Sequence, residues 1–346
     1  MDVSDKSKFL RNQMIAIFIF IASSAISLAF LECIIRVIFP AFDPSGQVQF
    51  VVGTNGLTLG PANQKVRLTR TAGDYDVAVR FNARGFRDAK DVATVRSGDI
   101  VVVGDSFAFG WGVEESERFS DMLQPLLHRR VFNIGIPGGD FDDYDKLLKY
   151  AESFGGQIDD VVISVCMEND LRSYSATRQS ALNTDENIAI VHPLDLEVTK
   201  AWLTDNSATY RMVTAVVHQN SWLRRVAISA NLLTPTLSGI VPNIDSQLSI
   251  ESSAGRLAEI ASRYKHTVIL IIPSRGLWVG GNRRAEDRIH REFISALATR
   301  HLDFIDMRST LESGGNPLFY HFRNDGHWNS RGHQLAAAAL VAAFTH

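Results

Sequence analysis

A serine, a histidine and an aspartate can together attack an acyl carbon, and this chain offers them in Gly104-Asp105-Ser106 and Asp325-Gly326-His327. A serine hydroxyl is a weak nucleophile unless a base stands within hydrogen-bond reach. Histidine suits that task because it titrates near neutrality. A carboxylate fixes the histidine tautomer and stabilises the imidazolium, and Asp325, two residues before His327, can reach the ring's other nitrogen. Such a centre also needs donors for a developing oxyanion. The N–H of Ser106 at a turn, the backbone of Gly138 in Gly135-Ile136-Pro137-Gly138-Gly139, and the amide of Asn169 in Met167-Glu168-Asn169-Asp170 are candidates. Each has a plainer reading alone: Ser106 as a helix N-cap, Gly138 in a Gly/Pro turn, Asn169 in a polar turn. Asp105 reads as structural, ordering its loop by local hydrogen bonds. His321 and His333 flank His327 and suggest a metal, but their five-residue gaps match no usual zinc spacing, so none is expected.

The order of these groups outweighs any one of them, because the first three each follow a candidate strand. Ile100–Val103, Val131–Ile134, Val161–Val165, Val268–Ile272 and Phe304–Ile305 are short and apolar throughout, as parallel strands buried on both faces must be. Amphipathic stretches lie between them, at Phe119–Leu127, Tyr144–Phe154 and Ala285–Arg300. That alternation implies an α/β domain with right-handed crossovers and helices on both faces. In such a sheet ligands bind beyond the carboxyl ends of the strands, where Ser106, Gly138 and Asn169 stand. Residues 172–252 break the rhythm without a clean strand signal, with helical stretches at Met212–Val217 and Trp222–Leu233. They are too long for a simple connection and read as a cap-like insert. Between residues 40 and 97 short alternating segments at Gln47–Val52, Lys65–Thr69 and Tyr75–Phe81 suggest a stalk or β-rich extension.

Met14–Leu31 is an uninterrupted uncharged run, and about 20 helical residues cross a bilayer's hydrocarbon. Lys6, Lys8 and Arg11 precede it, which places the N-terminus in the cytoplasm and all that follows residue 40 outside. Ala22-Ser23-Ser24 offers a signal-cleavage alternative, but apolar character continues to Phe42, which favours a retained anchor. Glu32 and Arg36 mark the outer boundary, and Pro40 and Pro44 end the helix. A net charge of −3 argues against nucleic acid as a partner. The two cysteines, Cys33 in the apolar run and Cys166 at a strand end, make no disulfide framework.

Taken together, these blocks resemble the SGNH/GDSL hydrolase superfamily over roughly residues 80 to 346. Gly104-Asp105-Ser106 is similar to its nucleophile block, Asn133 to Gly138 to its second block, Asn169-Asp170 to the end of its third, and Asp325-Gly326-His327 to its last. Two departures stand out: Met167 where the third block usually has glycine, and Asp-x-His-Trp in place of Asp-x-x-His. The latter is similar to the branch linked to acetylation of exported polysaccharides such as alginate. Phe81-Asn82-Ala83-Arg84-Gly85-Phe86-Arg87 and Gly110-Trp111-Gly112-Val113 also look like membrane-anchored bacterial members. The resemblance implies a flavodoxin-like three-layer α/β/α sandwich without metal or organic cofactor. It implies Ser106, His327 and Asp325 as catalytic groups and Ser106, Gly138 and Asn169 as oxyanion donors. The expected organisation is a cytoplasmic segment 1–12, a transmembrane anchor 13–39, an extension 40–97 and a hydrolase domain 98–346 with its insert at about 172–252. The expected protein is a single-pass inner-membrane enzyme facing the periplasm. It would hydrolyse or transfer an acyl group, O-acetyl above all, on an acylated carbohydrate. A lipase, lysophospholipase or thioesterase, and a degenerate glycan-binding subunit, are the alternatives.

Overall fold

The structure, a computed structural model, describes residues 3–53, 56–70, 72–174, 196–230 and 246–345. It opens with α1 (Val3–Ile38), whose stretch Arg11–Ile38 is long and apolar enough to cross a membrane, with every residue of it but Ile35 at least partly exposed. Proline at position 40, which cannot continue a helix, follows its end. Next come two small antiparallel pairs, β1 (Val51–Val52) with β2 (Thr58–Leu59), and β3 (Lys65–Thr69) with β4 (Asp76–Arg80). The strand expected over Gln47–Val52 is broken. Gln47 bridges to Arg67 and spends its side-chain oxygen on Thr69, and Phe50 turns in against Phe81 and Phe109.

The main domain runs β5 (Ile100–Gly104), α2 (Ser106–Phe109), α3 (Phe119–Leu127), β6 (Val131–Asn133), α4 (Phe141–Glu152) and β7 (Asp160–Cys166). It continues through α5 (Leu196–Asn206), α6 (Ala208–Gln219), α7 (Ser221–Ser229), α8 (Ser246–Ala261) and β8 (His266–Ile272). It closes with α9 (Arg283–Thr299), β9 (Phe304–Asp306), α10 (Met307–Ser313) and α11 (Ser330–Phe344). Strands β6-β5-β7-β8-β9 form one parallel sheet in that order. The expected three-layer α/β/α sandwich is thus the fold, with the flavodoxin-like strand order.

The uniformly apolar strands have their cause in two cores. Val101, Val103, Val161, Ile163, Ile269 and Ile271 face α4, α8 and α9 on one side. Ile100, Val102, Val162, Val268 and Leu270 face α3, α10 and α11 on the other. The three central strands therefore bury both sets of their alternating side chains. Of the insert expected over 172–252, residues 175–195 and 231–245 lie outside the described residues, and α5–α7 occupy the part between. Helix α8 starts within that interval but belongs to the sheet. Its Ile250, Ala254, Leu257 and Ile260, spaced at helical turns, are buried in the first core.

Candidate active site

The strand order reverses between β5 and β7, and the loops after β6, β5 and β7 lie side by side at one rim. Such a switch point opens the crevice in which doubly wound sheets bind ligands. Ser106 is the first residue of α2, directly after β5. Two features force this tight strand-to-helix turn. A Cβ at Gly104 would stand 2.7 Å from the Ser164 Cβ and 2.9 Å from the Ala108 Cβ, so only glycine lets the turn pack on β7. Asp105 caps α2, accepting the Phe107 N–H at 2.9 Å. Asp105, read as structural, is fully buried, and burial raises its pKa despite that hydrogen bond.

Arginine side chains hold the segment after the serine. Arg87, 1% exposed, donates to the carbonyls of Phe109 (3.2 Å), Gly110 (2.7 Å) and Val113 (2.7 Å). Arg118, equally buried, donates to the Arg87 carbonyl. Asn133 binds this turn to the next strand. Its amide donates to the Ala108 carbonyl at 2.7 Å and to the Ser120 hydroxyl at 2.8 Å, and its oxygen accepts the Gly135 N–H at 2.9 Å.

The loop before α11 brings in the remaining groups. The His327 Nε2 is 2.8 Å from the Ser106 Oγ, and its Nδ1 is 2.5 Å from the Asp325 Oδ1. Asp325 also accepts the His327 N–H at 3.0 Å, which sets the two-residue turn. Its second oxygen accepts the Tyr75 hydroxyl at 2.9 Å and faces the Arg70 Nε at 3.6 Å. Burial alone would raise the Asp325 pKa. The hydrogen bond and charge of His327, with Arg70 behind them, outweigh it and hold the carboxyl well below the ordinary range. Trp111 donates to the Tyr75 oxygen at 2.6 Å, and both Phe107 and Trp111 pack on the imidazole, at 5.2 and 5.9 Å between ring centres. Tyr75 and Arg70 come from the β3–β4 hairpin. Sequence reasoning treated that region as an extension and missed both, since nothing in a hairpin's spacing marks a residue that reaches across 250 positions.

Gly138 is exposed after β6 with φ +74°, a conformation only glycine takes easily, and no atom lies within 4 Å of where its Cβ would be. Substrate can thus approach its backbone. Asn169 is exposed after β7, its amide donating to the Asp105 Oδ2 at 3.3 Å, which orients the side chain next to the serine turn. Met167 proves compatible with its position. Its N–H donates to the Ile272 carbonyl, its side chain is buried in the core, and its φ is not positive. The other two histidines of the loop are engaged elsewhere. The His333 Nδ1 accepts the Phe119 N–H at 3.4 Å, and the His321 Nδ1 is 3.1 Å from the Pro317 carbonyl. Burial lowers the pKa of His333 to about 3 and of His321 to about 4. Cys166 is buried and Cys33 exposed, both as free thiols.

Against the loop that carries His327 opens a cleft of about 370 Å³ lined by Arg275, Leu318, Phe319, His321, Phe322 and Arg323. Arg275 lies over Gly326, whose Cβ would clash with its guanidinium at 2.5 Å, and its N–H donates to Glu168 at 2.7 Å. Sequence reasoning did not single out this arginine, because its segment after β8 carries no motif.

Residues 249–346 match a family model described as the SGNH hydrolase-like domain of the acetyltransferase AlgX. Among curated proteins no sequence match was found. Solved structures give distant likenesses. A lipolytic protein of the G-D-S-L family from Veillonella parvula is 13% identical, with 72% of this chain and 98% of that one covered and a TM-score of 0.42. Axe2, an acetylxylan esterase from Geobacillus stearothermophilus, is 12% identical, with coverage of 74% and 97% and a TM-score of 0.38. Likeness at this level says nothing about substrate. The matched family supports acyl-ester chemistry, by hydrolysis or acetyl transfer. The matched segment holds Asp325 and His327, and over it the chain is similar to the SGNH hydrolase-like domain of AlgX.

Proposed function

We propose that this chain is a serine esterase or O-acyltransferase that works through Ser106, His327 and Asp325. The observation that carries the reading is the unbroken chain of contacts from the Ser106 Oγ through both ring nitrogens of His327 to Asp325. His327 takes the serine proton as the Oγ attacks an ester carbonyl, and Asp325 stabilises the imidazolium that forms. The N–H groups of Ser106 and Gly138 and the Asn169 amide hold the oxyanion. The imidazolium then protonates the leaving alcohol. A water or a sugar hydroxyl, deprotonated by the same ring, resolves the acyl-enzyme. None of these steps draws on a metal or an organic cofactor.

The substrate class we infer is an O-acetylated carbohydrate outside the cytoplasm. Exposed Phe319 beside Arg275 and Arg323 gives the cleft aromatic and cationic walls, which suit a sugar ring better than an acyl chain. Residues 1–12 would then be cytoplasmic, 13–39 the anchor of a single-pass inner-membrane protein, and 40–346 periplasmic. Exposed Trp202, Val213, Val216, Trp222 and Val226 on α5–α7 are the one observation that favours a lipid ester instead. The full chain in detergent, offered acetylated oligosaccharides and long-chain acyl esters with and without sugar acceptors, separates these readings. Acetyl release or transfer from the oligosaccharides is expected. Turnover confined to long-chain esters would overturn the carbohydrate assignment.

A further inference from the structure

One group of contacts plays no part in this chemistry: those that join the end of α1 to α5 and α6. Residues 12–31 carry no charge, and at 1.5 Å per residue they make a rod of about 30 Å, the hydrocarbon thickness of a bilayer. Glu32 therefore falls at the outer edge of that layer. Its carboxylate accepts the N–H groups of Ala208 (2.7 Å) and Thr209 (2.9 Å) and the Ser207 hydroxyl (3.0 Å), capping the N-terminus of α6. One turn on, Arg36 donates to the Asn206 carbonyl at 2.7 Å and to Asp43 at 3.0 Å, and Ile35 between them is 1% exposed. The last turns of α1 are clamped to the α5–α6 junction by groups that belong at the headgroup level.

That clamp fixes the height of a tryptophan. Trp202 lies one turn before Asn206 on α5, about 6 Å along the axis, and is 62% exposed. The headgroup layer on each side of a bilayer is roughly 5–8 Å deep and is where tryptophan concentrates. Val37, Ile38 and Phe39, all exposed, ring the same level. From there α6 runs about 18 Å toward the catalytic rim. In its first turn, Arg211 donates to the Thr69 hydroxyl at 2.7 Å. At the far end Gln219 packs over Gly73, in the hairpin turn between Arg70 and Tyr75. Those are the residues that hold Asp325.

We propose that α5 and α6 form a footing on the lipid surface from which α1 emerges, with Trp202 seated among the headgroups. The anchor and the catalytic rim then move as one rigid unit. The helix α6 acts as a strut that keeps the site at a fixed, short height above the bilayer, where it meets acyl esters presented close to the membrane. This inference rests on α1 spanning the membrane.

All five tryptophans lie beyond α1, so emission from the full chain reports on the domain alone. The full chain is reconstituted in phosphatidylcholine vesicles containing lipids brominated at a shallow acyl position. Integration of α1 is read separately, by resistance to alkaline carbonate extraction. Shallow bromines should quench part of the emission. That part should vanish in Trp202→Phe, persist in Trp222→Phe, and shrink in Glu32→Ala while α1 stays integrated. Equal quenching of the native chain and Trp202→Phe, with α1 integrated, would overturn the footing but leave the anchor standing. Loss of quenching in Trp222→Phe instead would also overturn it, since that residue lies beyond the far end of the strut. Extraction of α1 by carbonate would remove the anchor and the footing together.

Discussion

Replacing Tyr75 with phenylalanine removes one hydroxyl and tests whether the hairpin serves the chemistry. That hydroxyl donates to the Asp325 Oδ2 at 2.9 Å and accepts from the Trp111 indole at 2.6 Å. Without it, the buried carboxylate keeps His327 on one oxygen and has only Arg70, 3.6 Å away, on the other. A hydrogen bond to a charged group contributes about 1.5–3 kcal/mol. If that energy is realised where Asp325 faces an imidazolium, kcat falls by about 10- to 150-fold, at about 1.4 kcal/mol per factor of ten. Arg70 can draw closer, which puts the expectation near the lower end. Because the hydroxyl touches no substrate, KM should hold. The assay is ester turnover by full chain and variant across pH, with thermal melting as the control for folding. Unchanged kcat, or a loss confined to KM in a variant that melts normally, would refute the positioning role of Tyr75.

Three further outcomes follow from the same geometry. Asn169→Ala should lower turnover by about 10²–10³-fold with little change in melting temperature, as loss of one oxyanion donor does; steady-state kinetics on a short acyl ester measures it. Arg87→Met should leave the buried carbonyls of Phe109 and Val113 without donors. At about 1–3 kcal/mol for each unsatisfied group, its melting temperature should drop markedly. Stability should also fall with acid between pH 6.5 and about 4. His333 and His321 stay neutral in the fold, their pKa values lowered by burial to about 3 and about 4, whereas the unfolded chain protonates them near 6.5. The unfolded state therefore binds more protons throughout that window. Each histidine should contribute about 2 kcal/mol of lost stability between pH 7 and pH 5, read from denaturant midpoints. The slope should flatten in His333→Asn.

How much of this was legible in the sequence depended on the distance over which each feature is encoded. The five sheet strands are local apolar runs, and both buried faces explain why they lack alternation. The helices between them implied parallel pairing, whereas the flavodoxin-like arrangement came from the resemblance. The serine turn announced itself through Gly104, whose missing Cβ is a packing requirement, and through Asp105, whose cap is a neighbour effect. Asp325 and His327 were readable because they sit two residues apart. Tyr75, Arg70 and Arg275 were not, because each reaches the site only through tertiary packing and none lies in a spaced motif. The strand expected at Gln47–Val52 failed for the same reason: Phe50 and Gln47 found partners outside the segment. Helix α8 was partly assigned to the insert because its polar serines masked the buried stripe of Ile250, Ala254, Leu257 and Ile260.

The claim on which the rest depends is that the Ser106 hydroxyl is activated by His327. Treating the full chain with a fluorophosphonate and reading the modified peptide by mass spectrometry tests it directly. The account predicts one adduct, on the peptide carrying Ser106, abolished in Ser106→Ala and strongly slowed in His327→Ala. An unlabelled native chain that still turns over ester, or labelling that persists in Ser106→Ala, would contradict it.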